Sequence, residues 1–215
     1  MRIFIGISGA SGVVLGFKLL GILSQKAEVF AVISSGAKLA LELENGIKAD
    51  DFIKFCLQNG STFKGFKSDK KPINNIKNFI KTDDINYQNI TFFDDKNLGA
   101  SISSGSFGID KSIISPCSIN TLAKISNGIS DTLITRAAAV ALKEQKRLIL
   151  GVREMPFSAI SLRQMSDLAL LGVAIAPPVF GFYSKAKSVE QMSDFIVGKW
   201  LDLLEIEHKI YKKWE

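Results

Sequence analysis

An apolar run from Arg2 to Ile7 leads into Ser8-Gly9-Ala10-Ser11-Gly12, and helical spacing begins directly afterwards. Small residues between a strand and a helix allow tight turning and close approach to the backbone. The N–H groups at the start of the following helix favour an anion. From Gly6 the spacing is G-x-x-G-x-x-G, with serines inside, not the G-x-G-x-x-G of dinucleotide enzymes. Those enzymes also carry an acidic residue after the second strand to hold a ribose. Here that place is filled by Ser34-Ser35. The turn therefore reads as a cradle for a mononucleotide with one phosphate, FMN in preference to NAD.

Other residues of chemical promise fall at the ends of apolar runs. Ser101–Gly108 reads SISSGSFG, residues 116–121 read PCSINT, and Arg153-Glu154 follow RLILGV. Ser11 and Ser118 are expected just ahead of helices, where each serine alone is explained by helix capping. Arg136 and Lys143, seven apart in TRAAAVALKE, share one helix face. They are either surface charges or, with Arg153 and Glu154, a set that binds a second phosphate and manages protons. Tyr183, after PPVFGF, is either a lid aromatic or part of that set.

These residues need a scaffold. Strands are expected at Arg2–Ile7, Glu28–Ile33, Asn89–Phe93, Ser112–Ser115, Arg147–Val152 and Val173–Ile175. Helices are expected at about 12–23, 37–44, 50–57, 118–126, 131–144, 158–171 and 189–204. Continuous apolar strands alternating with helices give a parallel sheet covered on both faces. Right-handed crossovers make it an α/β, Rossmann-like (flavodoxin-like), doubly wound sandwich. Ligands in such sheets bind beyond the carboxyl ends of the strands, where the residues above are expected. The chain, 215 residues long, reads as one domain over 1–215. Polar, lysine-rich residues from about 45 to 100 form an elaborated connection, with its charges on a solvated face.

Composition narrows the function classes. A single histidine, His208, argues against a zinc centre and rules out Ser-His-Asp or Cys-His catalysis within one chain. His208 itself is expected to be a solvated residue near the terminus. Cys56 and Cys117 form no C-x-x-C pair and fit a reducing compartment. No apolar run is long enough to span a bilayer and no leader pattern opens the chain, so a cytoplasmic protein is expected. The net charge of +6 suits a phosphorylated small molecule, and no nucleic-acid-binding motif accompanies it.

Taken in order, GISGASG, VISSGA, SGSFGID, SPCSINTLAKISNGISDTLITRAAAVALKE, RLILGVREMPFS, LLGVAIAPPVFGFY and VEQMSDFIVGKWLDLL resemble the flavin prenyltransferases of the UbiX type. The resemblance covers nearly the whole chain outside the 45–100 stretch, which looks longer than in typical members by roughly twenty residues, judged from motif spacing. It implies transfer of a dimethylallyl group from dimethylallyl monophosphate to N5 and C6 of reduced FMN, without a metal. The prenylated flavin would pass to a UbiD-type decarboxylase, with ubiquinone biosynthesis a common setting. The alternative is an FMN-dependent flavoprotein of the cysteine-decarboxylase type, which shares the fold but carries different substrate-facing motifs.

By match to the family's motif positions, Gly9, Ala10, Ser11, Ser34, Ser118, Ile119, Asn120, Thr121 and Arg153 would contact FMN, with Ser11 near N5. Lys143, Tyr183 and Lys199 would bind the prenyl phosphate. Glu44 and Glu154 would serve adduct formation and proton movement, Arg136 is an active-site arginine, and Trp214 an aromatic at the donor site. Lys199 stands where the family commonly has arginine, so it keeps the charge but loses the bidentate fork. The family forms dodecamers with active sites between subunits, so some of these residues would serve a neighbour's flavin.

Overall fold

The computed structural model of the chain describes residues 1–64 and 85–212. Its centre is a parallel sheet made by β1 (Arg2–Ile7), β2 (Glu28–Ile33), β3 (Thr62–Lys64), β4 (Ile90–Phe93), β5 (Lys111–Cys117), β6 (Arg147–Val152) and β7 (Ala174–Ile175). Their spatial order is β3-β4-β2-β1-β5-β6-β7. Without β3, that is the 3-2-1-4-5-6 order of the doubly wound fold, as expected. The order reverses between β1 and β5, which pair from Ile3↔Lys111 to Gly6↔Ile114.

The strands are apolar throughout because both faces are covered. Ile3, Ile5 and Ile7 of β1 enter one core while Phe4 enters the other. Val29, Ala31 and Ile33 of β2 likewise oppose Phe30 and Val32. This is the alternation a pleated strand imposes. The first core is closed by α1 (Val13–Ser24), α2 (Ser35–Asn45), α3 (Ala49–Gln58) and α7 (Val189–Leu203). The second is closed by α4 (Ile119–Ser126), α5 (Leu133–Lys143) and α6 (Ala159–Leu170). Gly16 sets α1 against β5, since a Cβ there would run into the Ser115 carbonyl oxygen.

Three expectations change. The 45–100 stretch is not simply packed on an edge: β4 lies inside the sheet, bonded to β2 on one side and β3 on the other. Its Phe92 and Phe93 are buried, which a strand of only four residues achieves because both faces are covered. The edge strand β3 was not expected at all. Its three residues carry no apolar run. The charged run KSDKKPINNIKNFIK lies outside the described residues, as does Trp214. His208 is not solvated. Its side chain is 2% exposed, because the segment after α7 folds back on that helix and sets the ring beside Tyr211.

Among the described residues, no helix is long and apolar enough to cross a membrane.

Candidate active site

The carboxyl ends of β1, β2, β5 and β6 enclose a crevice of about 580 Å³ at the switch point. Such a volume suits a cofactor-sized ligand. Gly9, Ala10, Ser11, Ser34, Ser118, Ile119, Asn120, Thr121, Arg153 and Glu154 all line it.

Its geometry begins with Ser8, which is buried beneath the turn. The Ser8 hydroxyl donates to the Pro116 carbonyl at 3.0 Å and accepts from the Ser118 N–H at 2.8 Å. The Ser8 N–H also donates to Pro116 O at 3.1 Å. One small side chain thus staples the first turn to PCSINT. On the other flank, Gly9 lies against Gly36. A Cβ on Gly9 would come within 2.8 Å of Gly36 Cα, so these two turns meet backbone to backbone.

Three helices point their amino ends at the crevice, and they differ. Ser34 caps α2 by accepting from Ala37 N at 3.1 Å, and Ser118 caps α4 by accepting from Thr121 N at 3.2 Å. Helix geometry gives the N–H groups of Ser35 and Gly36, and of Ile119 and Asn120, no acceptor within their own helix. The end of α5 is closed. Its Leu133 N–H donates to the Asp95 carbonyl at 2.7 Å and its Ile134 N–H to Asp95 Oδ1 at 3.0 Å. Thr132 and Thr135 complete a capping box. Burial raises the Asp95 carboxyl above the usual carboxylate range, against the lowering effect of the Ile134 N–H. Two ends are therefore open to an anion, and one holds a carboxylate of the chain's own.

Ser11 does not cap α1. Gly12 occupies that position at φ +84°, a left-handed conformation that glycine adopts without strain. The Gly12 N–H instead donates to Glu44 Oε2 at 3.0 Å, which places the Glu44 carboxylate at the positive end of α1. Arg153 Nε donates to the Ser11 carbonyl at 3.2 Å, so the guanidinium spans the crevice from β6 to the first turn. Glu154 is exposed at the rim, and its Oε1 accepts from Met155 N.

The other expected residues stand apart from this crevice. Arg136 and Lys143 lie on the outward side of α5, whose inward side is Leu133, Ile134, Ala137, Ala138 and Ala141. Lys143 pairs with Glu144 at 2.7 Å. Tyr183 and Lys199 share a second crevice of about 480 Å³, between the 176–183 segment and α7. Within one chain, the expected cations thus fall at three places.

Sequence reasoning missed Asp95, Lys124, Thr132 and Thr135, which also line the first crevice. Lys124 adds a cation there, paired with Asp131 at 2.7 Å. The T-x-x-T capping box so soon after PCSINT was the available signal.

This fold, with its glycine turn and open helix ends at the switch point, defines a nucleotide-binding α/β protein of the flavoprotein class. The chain belongs to the Flavoprotein family, whose model matches residues 1–201. More narrowly, it is 47% identical over 215 residues to the flavin prenyltransferase UbiX of Campylobacter jejuni, covering 100% of this chain and 99% of that protein. Among solved structures, AnUbiX (PadA1) in complex with FMN and dimethylallyl pyrophosphate has a TM-score of 0.79 at 32% identity, covering 100% of this chain and 97% of that one. A dodecameric FMN-dependent UbiX-like decarboxylase from Escherichia coli O157:H7 has a TM-score of 0.80 at 33% identity, with full coverage of both. The FMN-dependent cysteine decarboxylase TvaF, at 15% identity and a TM-score of 0.53, shares the fold alone.

Proposed function

We propose that this chain is a flavin prenyltransferase. It would take dimethylallyl monophosphate as donor and reduced FMN as acceptor, and deliver prenylated FMN to a UbiD-type decarboxylase. The observation that carries this reading is the gathering of Gly9–Ser11, Ser34, Ser118–Thr121 and Arg153 around one crevice. It is supported by the relationship to UbiX proteins along the full chain.

The crevice fits FMN in three respects. Its volume suits a mononucleotide, the Gly9–Gly36 contact leaves backbone exposed where side chains would intrude, and two open helix ends offer N–H groups to a single phosphate. Reduced FMN, when bound, supplies the electron-rich N5 and C6 positions that accept the prenyl group. The chain's own residues bind, shield and neutralise. The hydroxyls of Ser34 and Ser118 and the free N–H groups beside them hold the nucleotide. Arg153, fixed on the Ser11 carbonyl, orients the first turn against it.

Cleavage of an allylic C–O bond builds negative charge on the departing phosphate, which positioned cations stabilise. Lys199, beside Tyr183 in the second crevice, supplies one such cation, and the exposed Lys143 and Arg136 supply others. Glu44, which accepts from the Gly12 N–H, and Glu154, on the crevice rim, are the carboxylates available to proton transfer. We propose that assembly of several copies into a dodecamer brings these dispersed groups to one flavin. The cytoplasm is the setting proposed, consistent with two free, buried cysteines.

The test is anaerobic. The full chain is mixed with chemically reduced FMN and dimethylallyl monophosphate, and the extracted flavin is weighed by mass spectrometry. The expected result is a gain of one dimethylallyl unit. Unmodified flavin with both the monophosphate and the diphosphate, from protein that binds FMN, would overturn the reading.

A further inference from the structure

The second crevice contains more than the two residues expected of it. Asp202 lies one turn beyond Lys199 on α7, and its Oδ2 stands 3.9 Å from Lys199 Nζ. A carboxylate three residues from a lysine ordinarily competes for the ammonium. An anionic ligand at Lys199 would have to displace it.

The Asp202 carboxylate, however, is also engaged by the chain beyond α7, at the same oxygen and at its neighbour. Tyr211 Oη donates to Oδ2 at 2.5 Å, and His208 Nε2 lies 3.1 Å from Oδ1. Both partners come from the segment that follows α7. That segment lies flat on the helix because position 198 has no side chain. A Cβ on Gly198 would overlap the Tyr211 ring and come within 3.1 Å of His208 Cε1. The Tyr211 ring packs edge-on against Phe195 at 5.3 Å, and Phe195 packs edge-on against Tyr183 at 5.5 Å. Burial and the neighbouring carboxylate both push the Tyr211 phenol upward, so it remains a donor at neutral pH. A short hydrogen bond from a neutral phenol to a carboxylate is among the stronger ones a chain can make.

We propose that Tyr211 and His208 form a latch that holds the Asp202 carboxylate back, so that its ion pair with Lys199 stays at a long 3.9 Å and yields to the phosphate of the prenyl donor. Tyr211 and His208 are positioning residues that act through Asp202. With the latch open, Asp202 shortens this ion pair and competes more strongly with the donor. The latch rests on the reading of Lys199 as a phosphate ligand, and the experiment separates the two.

Four variants of the full chain are compared: Lys199→Ala, Tyr211→Phe, Asp202→Asn and the double variant Tyr211→Phe/Asp202→Asn. The readouts are KM and kcat for dimethylallyl monophosphate, its Kd by calorimetry, and the Kd of FMN as a check on folding. Tyr211→Phe is expected to raise KM and Kd for the donor about tenfold, the size of one hydrogen bond to a charged group. kcat and FMN binding should hold. Adding Asp202→Asn should restore donor affinity, which a merely structural role for Tyr211 would not allow. If Lys199→Ala leaves donor affinity unchanged, the phosphate role of Lys199 falls and the latch with it. If Lys199→Ala weakens the donor but Tyr211→Phe does not, the latch alone is wrong. Failure of Asp202→Asn to rescue also overturns it. Should Tyr211→Phe fold poorly, His208→Gln with the same rescue serves in its place.

Discussion

Ser8→Ala removes one oxygen from beneath the first turn. That oxygen makes two hydrogen bonds, to Pro116 O at 3.0 Å and from Ser118 N at 2.8 Å, in a residue only 1% exposed. The two losses differ in consequence. The Pro116 carbonyl keeps the Ser8 N–H, so it remains satisfied. The Ser118 N–H loses this acceptor, and stranding a donor away from water costs about 1–3 kcal/mol. A loss of about 2 kcal/mol follows, and in a chain of this size each kcal/mol moves the melting midpoint by about 2–4 °C. The expected fall is about 4–8 °C. It should be measured calorimetrically on FMN-free protein, because bound ligand would mask part of it. FMN affinity should fall in parallel, since Ser118, at the start of the PCSINT wall, loses its anchor. An unchanged midpoint in Ser8→Ala would refute the staple, whatever became of FMN binding.

Further outcomes are expected elsewhere. Gly9→Ala forces a methyl against Gly36 Cα, and such overpacking of backbone on backbone costs about 1–3 kcal/mol; FMN titration should show weaker binding, and an unaltered Kd would mean that the turns separate freely. Cys56 and Cys117 are wholly buried and their thiols are pushed far up by that burial, so both should resist iodoacetamide in the native protein and react after denaturation, as read by mass spectrometry. Asp95 offers a pH test. Its carboxyl is raised above the ordinary 3.8, so its favourable contribution is complete at lower pH and is lost as pH rises through the elevated value. Asp95→Asn keeps an acceptor for Ile134 N–H without the charge. Its stability relative to the parent should therefore rise through the acid range and level off towards neutrality in denaturant melts. A gap that shrank with rising pH would contradict the sign.

Most of the scaffold could be read from the sequence because its signals are local. β1, β2 and β6 are six-residue apolar runs whose bounds matched those expected, and α1, α4 and α7 follow from their spacing and caps. β3 was missed because Thr-Phe-Lys at a half-exposed edge carries no such signal. The rim of the first crevice was legible for a different reason: strand ends in a doubly wound sheet converge, so residues after each strand meet. What local pattern cannot give is which way a side chain turns once elements pack. Ser8 looks like another rim hydroxyl, yet it is turned inward. Arg136 and Lys143 do share a helix face, but it is the outward one, because the alanines and Leu133 claim the core. His208 seemed solvated because nothing near it in sequence reveals that Gly198 makes room for the returning segment.

The bonds that shape the first crevice also bear on how the chain matures. Ser8 meets Pro116 across 108 positions, and Arg153 reaches Ser11 across 142. No hairpin or helix pair could assemble a partial version beforehand, because each wall arrives on a separate parallel crossover. Loop-closure entropy must be met several times before any ligand can be held, which makes such topologies slow to form. Until β6 has been synthesised and docked, the Arg153 wall is missing. Capture of a flavin therefore reports completed topology, and fluorescence quenching of FMN during refolding would time the last long-range pairing rather than the first collapse.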